Sequence, residues 1–174
     1  RKVSQMAAYL LYKAGGRMPH LKLMKLLYLA DRESFDRYDE PITGDHMVSM
    51  PHGPVLSGTL DLINGASRAH AGGWSDWVTD RANYEVGLAV PLDSVQRAAL
   101  GALSDADLEV IEDVWQRFGA MDKWQLRDWT HAHCPEWSDP HGSASAISYA
   151  DVLVALGRDL SDAKAIAEGI EDRK

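Results

Sequence analysis

The chain has 174 residues, is 45% hydrophobic and carries a formal charge of −8, enough apolar material for one domain with a core of its own. Charge is uneven: eight Lys/Arg face five Asp/Glu in residues 1–40, and ten face twenty-one thereafter. The acidic balance argues against a nucleic-acid binder, which needs a basic face to displace counterions from phosphates, and suits a basic protein partner.

In chain order, Val3, Met6, Ala7, Leu10 and Leu11 recur at helical spacing and Gly15-Gly16 stops them. A second helix is expected from about 20 to 38. It is apolar on nearly every side from Leu21 to Ala30, the signature of a buried helix. Lys22, Lys25 and Arg32 fall on one narrow stripe of it, read as a solvated edge, with an anion or acidic-partner site as the sharper reading. The helix should end before Pro41.

Residues 46–50 read as a short strand. Gly53-Pro54 then forms an elbow into a helix expected from Pro54 to about Ile63. His52 and Ser57 flank that elbow and raise the question of a hydrolase corner. A nucleophile elbow, however, carries its serine at the turn itself, and proline removes an N–H from where an oxyanion donor would be useful. A structural bend is the expectation. Residues 76–81 and 84–90 alternate at period two about Arg81-Ala82-Asn83 and predict a hairpin.

Ser104 with Asp107, Asp122 with Gln125 and Ser148 with Asp151 predict capped helix starts. Residues 134–145 read as loop, and two helical stretches over about 148–172 are broken at Gly157–Ser161. The fold class expected is α+β, predominantly α-helical: a central buried helix surrounded by helices, with a small antiparallel sheet, in a single domain spanning 1–174. No run approaches the roughly 20 apolar residues of a membrane span, and no signal-peptide pattern is seen. With Cys134 as the one cysteine, a cytoplasmic location is expected.

His131, His133, Cys134 and His141 are the candidate metal ligands. His131 and His133 stand two apart on a predicted helix and so point in different directions; helix-end histidines and a half-buried thiol are expected instead. No phosphate-binding glycine motif is present, and neither catalytic residues nor a cofactor are assigned. The six tryptophans divide between core and interface anchors.

Taken in order, "KLMKLLYLAD" at 22–31, "ITGDHMVSMPHGPVLSGTLDLI" at 42–63 and "LRDWTHAHCPEW" at 126–137 resemble the Panacea domain, the antitoxin SocA-like, phage-associated family once described as a domain of unknown function. The likeness covers about residues 20–140. Its motif positions here are Lys25, Leu26, Tyr28, Gly44, Asp45, Gly53, Pro54, Val55, Thr130, His131 and Trp137, with structural or partner-binding roles. The resemblance implies a bacterial type II antitoxin that neutralises a cognate protein toxin by direct binding. Toxic small alarmone synthetases are among the toxin classes such domains meet. Alternatives are an adaptor that delivers the toxin to a protease and, in another class, a metal-binding or hydrolytic enzyme. Many family members add a DNA-binding domain; no helix-turn-helix precedes residue 20, so operator binding is not expected. A homo-oligomer stays open.

Overall fold

A computed structural model describes residues 1–66 and 71–174. In chain order the elements are α1 (Lys2–Lys13), β1 (Arg17–Pro19), α2 (His20–Tyr38), β2 (Met47–Met50), β3 (Gly53–Leu56), α3 (Ser57–Ile63), β4 (Glu85–Gly87), α4 (Asp105–Phe118), α5 (Lys123–His133), β5 (Ser145–Ile147), α6 (Tyr149–Ala155) and α7 (Leu160–Glu171). Among the described residues, one short 3-10 turn, Trp74–Asp76, precedes β4, and two more, Leu92–Ser94 and Arg97–Ala99, lie between β4 and α4. The fold is α+β and predominantly helical.

The all-round apolar segment is the axis of the molecule. α2 packs against α1, α4, α5, α6 and β3, and Leu23, Met24, Leu26, Leu27, Tyr28 and Ala30 are all buried. Surrounded on so many sides, this helix has little room for a polar face, and what polar groups it carries must find partners inside. It ends where expected, at Asp39 in a left-handed conformation (φ 57°) whose N–H returns to the Phe35 carbonyl. The three predicted serine and aspartate starts are complete capping boxes, at Ser104, Asp122 and Ser148. The boxes at Ser104 and Ser148 each satisfy two otherwise orphaned N–H groups, and the one at Asp122 satisfies three.

Three local readings are corrected. Gly53-Pro54 does not open a helix: Gly53–Leu56 is a strand antiparallel to β2, pairing Met50 with Gly53 and Met47 with Leu56, and the helix starts at Ser57. Turn chemistry at Pro51-His52 decides this, since two residues suffice to close a hairpin. Pro54 is compatible with the strand because β3 is an edge in the order β3-β2-β5. Only an edge strand can hold a residue with no N–H to give. The second hairpin, over 76–81 and 84–90, is reduced to isolated bridges, Val78 with Leu88 and Ala82 with Glu85. Its second arm, β4, pairs instead with β1. The loop expected over 134–145 extends into β5, which completes the three-stranded sheet on β2.

Candidate functional site

The motif positions converge around one face of α2. Lys25 has no exposed surface. Its ammonium donates to the Pro54 carbonyl at 2.7 Å. That carbonyl belongs to a buried edge strand, whose outward groups have no neighbouring strand to meet them. Burial lowers the Lys25 pKa to about 7, opposed by the nearby Cys134 thiol. Gly53 makes the approach feasible. It sits at φ +100°, and a Cβ there would lie 2.8 Å from Thr130 Oγ1 and 3.0 Å from Lys25 Nζ. Thr130, also buried, donates its hydroxyl to the Arg127 carbonyl at 2.8 Å.

One turn along α2, Tyr28 and Arg32 hold a buried carboxylate from the segment after α5. The Tyr28 hydroxyl donates to Glu136 Oε1 at 2.6 Å and Arg32 Nε to the same oxygen at 2.7 Å. The Glu136 side chain is fully buried. Burial raises the Tyr28 pKa well above the usual phenol range, and the Glu136 charge adds to this. For Arg32, burial works against the charge, and the hydrogen bond to Glu136 together with the nearby Cys134, Glu136 and Tyr28 outweighs it.

Asp31 is also fully buried. It accepts from the backbone N–H groups of Ile42 (2.9 Å) and Thr43 (3.0 Å) and from the Thr43 hydroxyl. Burial pushes its carboxyl up to about 7, while the bonds from Thr43 and Ile42 pull it back. Asp45 does for α3 what a cap does. Oδ1 accepts from the Gly58 N–H at 2.9 Å, and Oδ2 accepts from the Thr59 N–H and hydroxyl at 2.8 and 2.7 Å. Gly44, at φ +69°, turns the chain just before it. Leu26 and Val55 are apolar members of the same packing.

After α5, Trp137 donates its indole N–H to the Met50 carbonyl at 2.9 Å. Its ring stacks on His131, centroids 3.9 Å apart and within 7° of parallel. Buried in this stack, His131 Nε2 has no hydrogen-bond partner among the described residues. Burial lowers its pKa, and Lys25 and Arg127 lower it further.

The lysine–arginine stripe is therefore not a solvated edge. Lys22 donates to the Gly119 carbonyl at 2.6 Å, beyond the end of α4, Lys25 holds β3 and Arg32 holds Glu136. Each cation anchors a different element onto α2. Sequence reasoning missed Glu136, Asp31 and Thr43 as parts of this network. A charged residue inside an apolar run, as at Asp31, is the signal that was available, because burial without a partner is costly.

The other constellations do not assemble. His52 tops the β2–β3 turn against the Trp124 ring, centroids 5.8 Å apart. Ser57 lies at the far end of β3, roughly 15 Å of extended chain away. His133 stacks on Trp129 and meets the Trp129 carbonyl at 2.9 Å. His141 stands on an exposed loop beside Asp139. Cys134 is fully rather than half buried, and burial pushes its thiol up to about 12, which makes it a poor nucleophile or metal ligand. Among the described residues no three His, Cys, Asp or Glu side chains form a group able to hold a metal. No helix of the described residues is long and apolar enough to cross a membrane.

The model of the family described as antitoxin SocA-like, Panacea domain, matches residues 23–138. That span runs from the start of α2's buried segment through Trp137 and takes in the anchors described above except Lys22, which lies one residue before it. The chain belongs to this family. No curated protein and no solved structure matches it. In this Panacea domain, the motif positions named from the sequence thus lie among buried tethers between α2, the β2–β3 hairpin, α3 and the segment after α5. Membership in an antitoxin family suggests a non-enzymatic role. α6 and α7 lie beyond the matched span, joined to it through Arg158, which bonds to Asp39 Oδ1 at 3.0 Å and the Asp36 carbonyl at 2.7 Å.

Proposed function

We propose that this Panacea domain is the antitoxin of a type II toxin–antitoxin pair and silences a cognate protein toxin by binding it directly. The observation that carries the reading is family membership over residues 23–138. The internal use of the motif supports it: the side chains that mark the family fix the backbone, which leaves recognition to the exterior. That exterior is acidic over most of the chain, and such a surface steers encounter with a basic toxin, as expected of a protein that handles RNA or nucleotides.

The test is co-expression with the product of the neighbouring gene. Growth should be arrested by the neighbour alone and restored by this protein, and the two should co-purify. Repeating the rescue in cells lacking the major cytoplasmic proteases separates masking from delivery. Neutralisation by masking persists there, whereas an adaptor loses its effect. Arrest that this protein does not relieve, with no complex recovered, counts against the proposal.

A further inference from the structure

The chain is strongly acidic, yet one cleft in it is lined by no carboxylate at all. His20, Leu21, His52, Arg81, Tyr84, Lys123 and Trp124 surround a cavity of about 220 Å³. It lies where the start of α2, the β2–β3 turn, the loop before β4 and the start of α5 meet. Neither Arg81 nor Lys123 has a carboxylate within ion-pair distance among the described residues. Nearby acids are turned to other partners: Asp122 to the N–H groups of Trp124 and Gln125, Asp128 to Arg127 at 2.8 Å, Glu85 to Arg17. Asp80 precedes Arg81 but is not part of the lining. Arg127 and Lys123 flank the Trp124 ring, 4.9 and 5.1 Å from its centroid, which adds a further cation beside the cleft.

The aromatic groups here are held open at a cost. Tyr84 is 73% exposed, the most exposed large hydrophobic residue described, and Trp124 is 44% exposed. Asn83 and Tyr84 both have left-handed backbones, φ 52° and 63°, an unfavourable conformation for a bulky residue. The two residues form the tip of a hairpin turn closed by reciprocal Ala82 and Glu85 backbone hydrogen bonds of 3.0 Å. Such a turn demands φ > 0 at both positions and favours Asn or Gly there. The first residue of α2 adds an N–H to the Tyr84 carbonyl at 2.9 Å. A solvent-facing tyrosine with a left-handed backbone, beside cations that have no carboxylate partner, is a local conflict of the kind that concentrates at functional sites.

We infer that this cleft grips an acidic peptide segment of the partner protein. Carboxylates would meet Arg81, Lys123 and the two imidazoles, and Tyr84 and Trp124 would supply apolar contact area. Size separates this from a nucleotide site. The cavity falls below the roughly 300–1,000 Å³ usual for small-molecule pockets and suits one or two side chains. The inference rests on the toxin-binding reading and deepens it: the acidic exterior steers the basic body of the toxin, and a locally acidic stretch of that toxin fixes the register. Complementarity of both signs in one interface serves specificity more than raw affinity.

The probe is a fluorescein-labelled eight-residue peptide alternating Glu and Asp around a central Tyr, followed by anisotropy against the purified protein, with an all-Lys counterpart as control. Binding of the acidic peptide is expected, weakening at least tenfold in the double variant Arg81→Glu/Lys123→Glu and with rising salt. It should be unchanged in Lys164→Glu, on the exposed face of α7. An acid at position 123 suits the start of a helix, so the double variant should melt like the parent. Tyr84→Gly relieves the backbone strain, and should weaken the peptide without lowering the melting temperature. No binding, or binding indifferent to the Arg81 and Lys123 changes, overturns the inference. So does preferential binding of ATP, GTP or inorganic phosphate. Rescue of toxin-arrested cells is scored in parallel. If the parent rescues while the peptide fails to bind, the cleft is wrong and the antitoxin reading survives. If the parent does not rescue, that reading itself fails.

Discussion

Replacing Gly53 with alanine tests how closely the hairpin turn is seated on the buried lysine. Two separable penalties act on the substitution. The first is conformational: at φ +100° an L side chain costs about 1–2 kcal/mol. The second is steric. The new methyl would stand 2.8 Å from Thr130 Oγ1, 3.0 Å from Lys25 Nζ and 3.2 Å from Lys25 Cε. Thr130 and Lys25 are both fully buried, so neither can swing into solvent, and overpacking of this kind costs about 1–3 kcal/mol. The total is about 2–5 kcal/mol, which for a domain of this length lowers Tm by about 5–15 °C. Gly15→Ala is the matched control. Its φ is +84° and a Cβ there meets nothing within 4 Å, so it carries the first penalty alone. Chemical denaturation of both variants gives the difference directly. A Gly53→Ala loss no greater than the Gly15→Ala loss would show that the turn has slack against α2, and the account of Lys25 and Thr130 as a tight seat would be wrong.

Four further outcomes follow from the same network. Lys25 is depressed to about 7, so between pH 7 and its unfolded value of 10.5 the unfolded chain binds the extra proton. Stability contributed by this group therefore rises with pH, and Tm measured from pH 7.5 to 8.5 should climb in the parent and flatten in Lys25→Met. Asp31, raised to about 7, acts with the opposite sign and over a lower window, so its effect fades as pH rises towards 7. Glu136→Ala should cost about 3–5 kcal/mol, because it strands Arg32, whereas the double replacement Arg32→Met/Glu136→Leu should cost clearly less; equal losses would mean that the pair is not coupled. Asp45→Ala removes the cap from α3 and should cost about 1–3 kcal/mol by denaturant titration, with Asp45→Asn intermediate.

Much of this fold was legible because its signals were local. The apolar run of α2, the three capping boxes and the break before α7 each follow from residues within a few positions of one another. The elbow at Gly53-Pro54 misled because a two-residue hairpin and a strand-to-helix handover use the same residues. Only pairing with β2 distinguishes them, and pairing is a tertiary fact. The stripe of Lys22, Lys25 and Arg32 misled for a related reason. Cations are usually at the surface, and the partners that draw these inward, the Gly119 and Pro54 carbonyls and Glu136, lie 29 to 104 residues away. The cleft at Tyr84 and Trp124 was invisible in the sequence, since its lining is drawn from four separate segments.

The central claim is that this Panacea domain works by occupying a toxin. Isothermal titration of the purified protein into the purified product of the neighbouring gene tests it most directly. The account predicts a saturable complex of fixed stoichiometry, with the toxin's activity abolished in the same mixture and no protease present. Absence of heat and of complex at micromolar concentrations, while the toxin stays fully active, would contradict it.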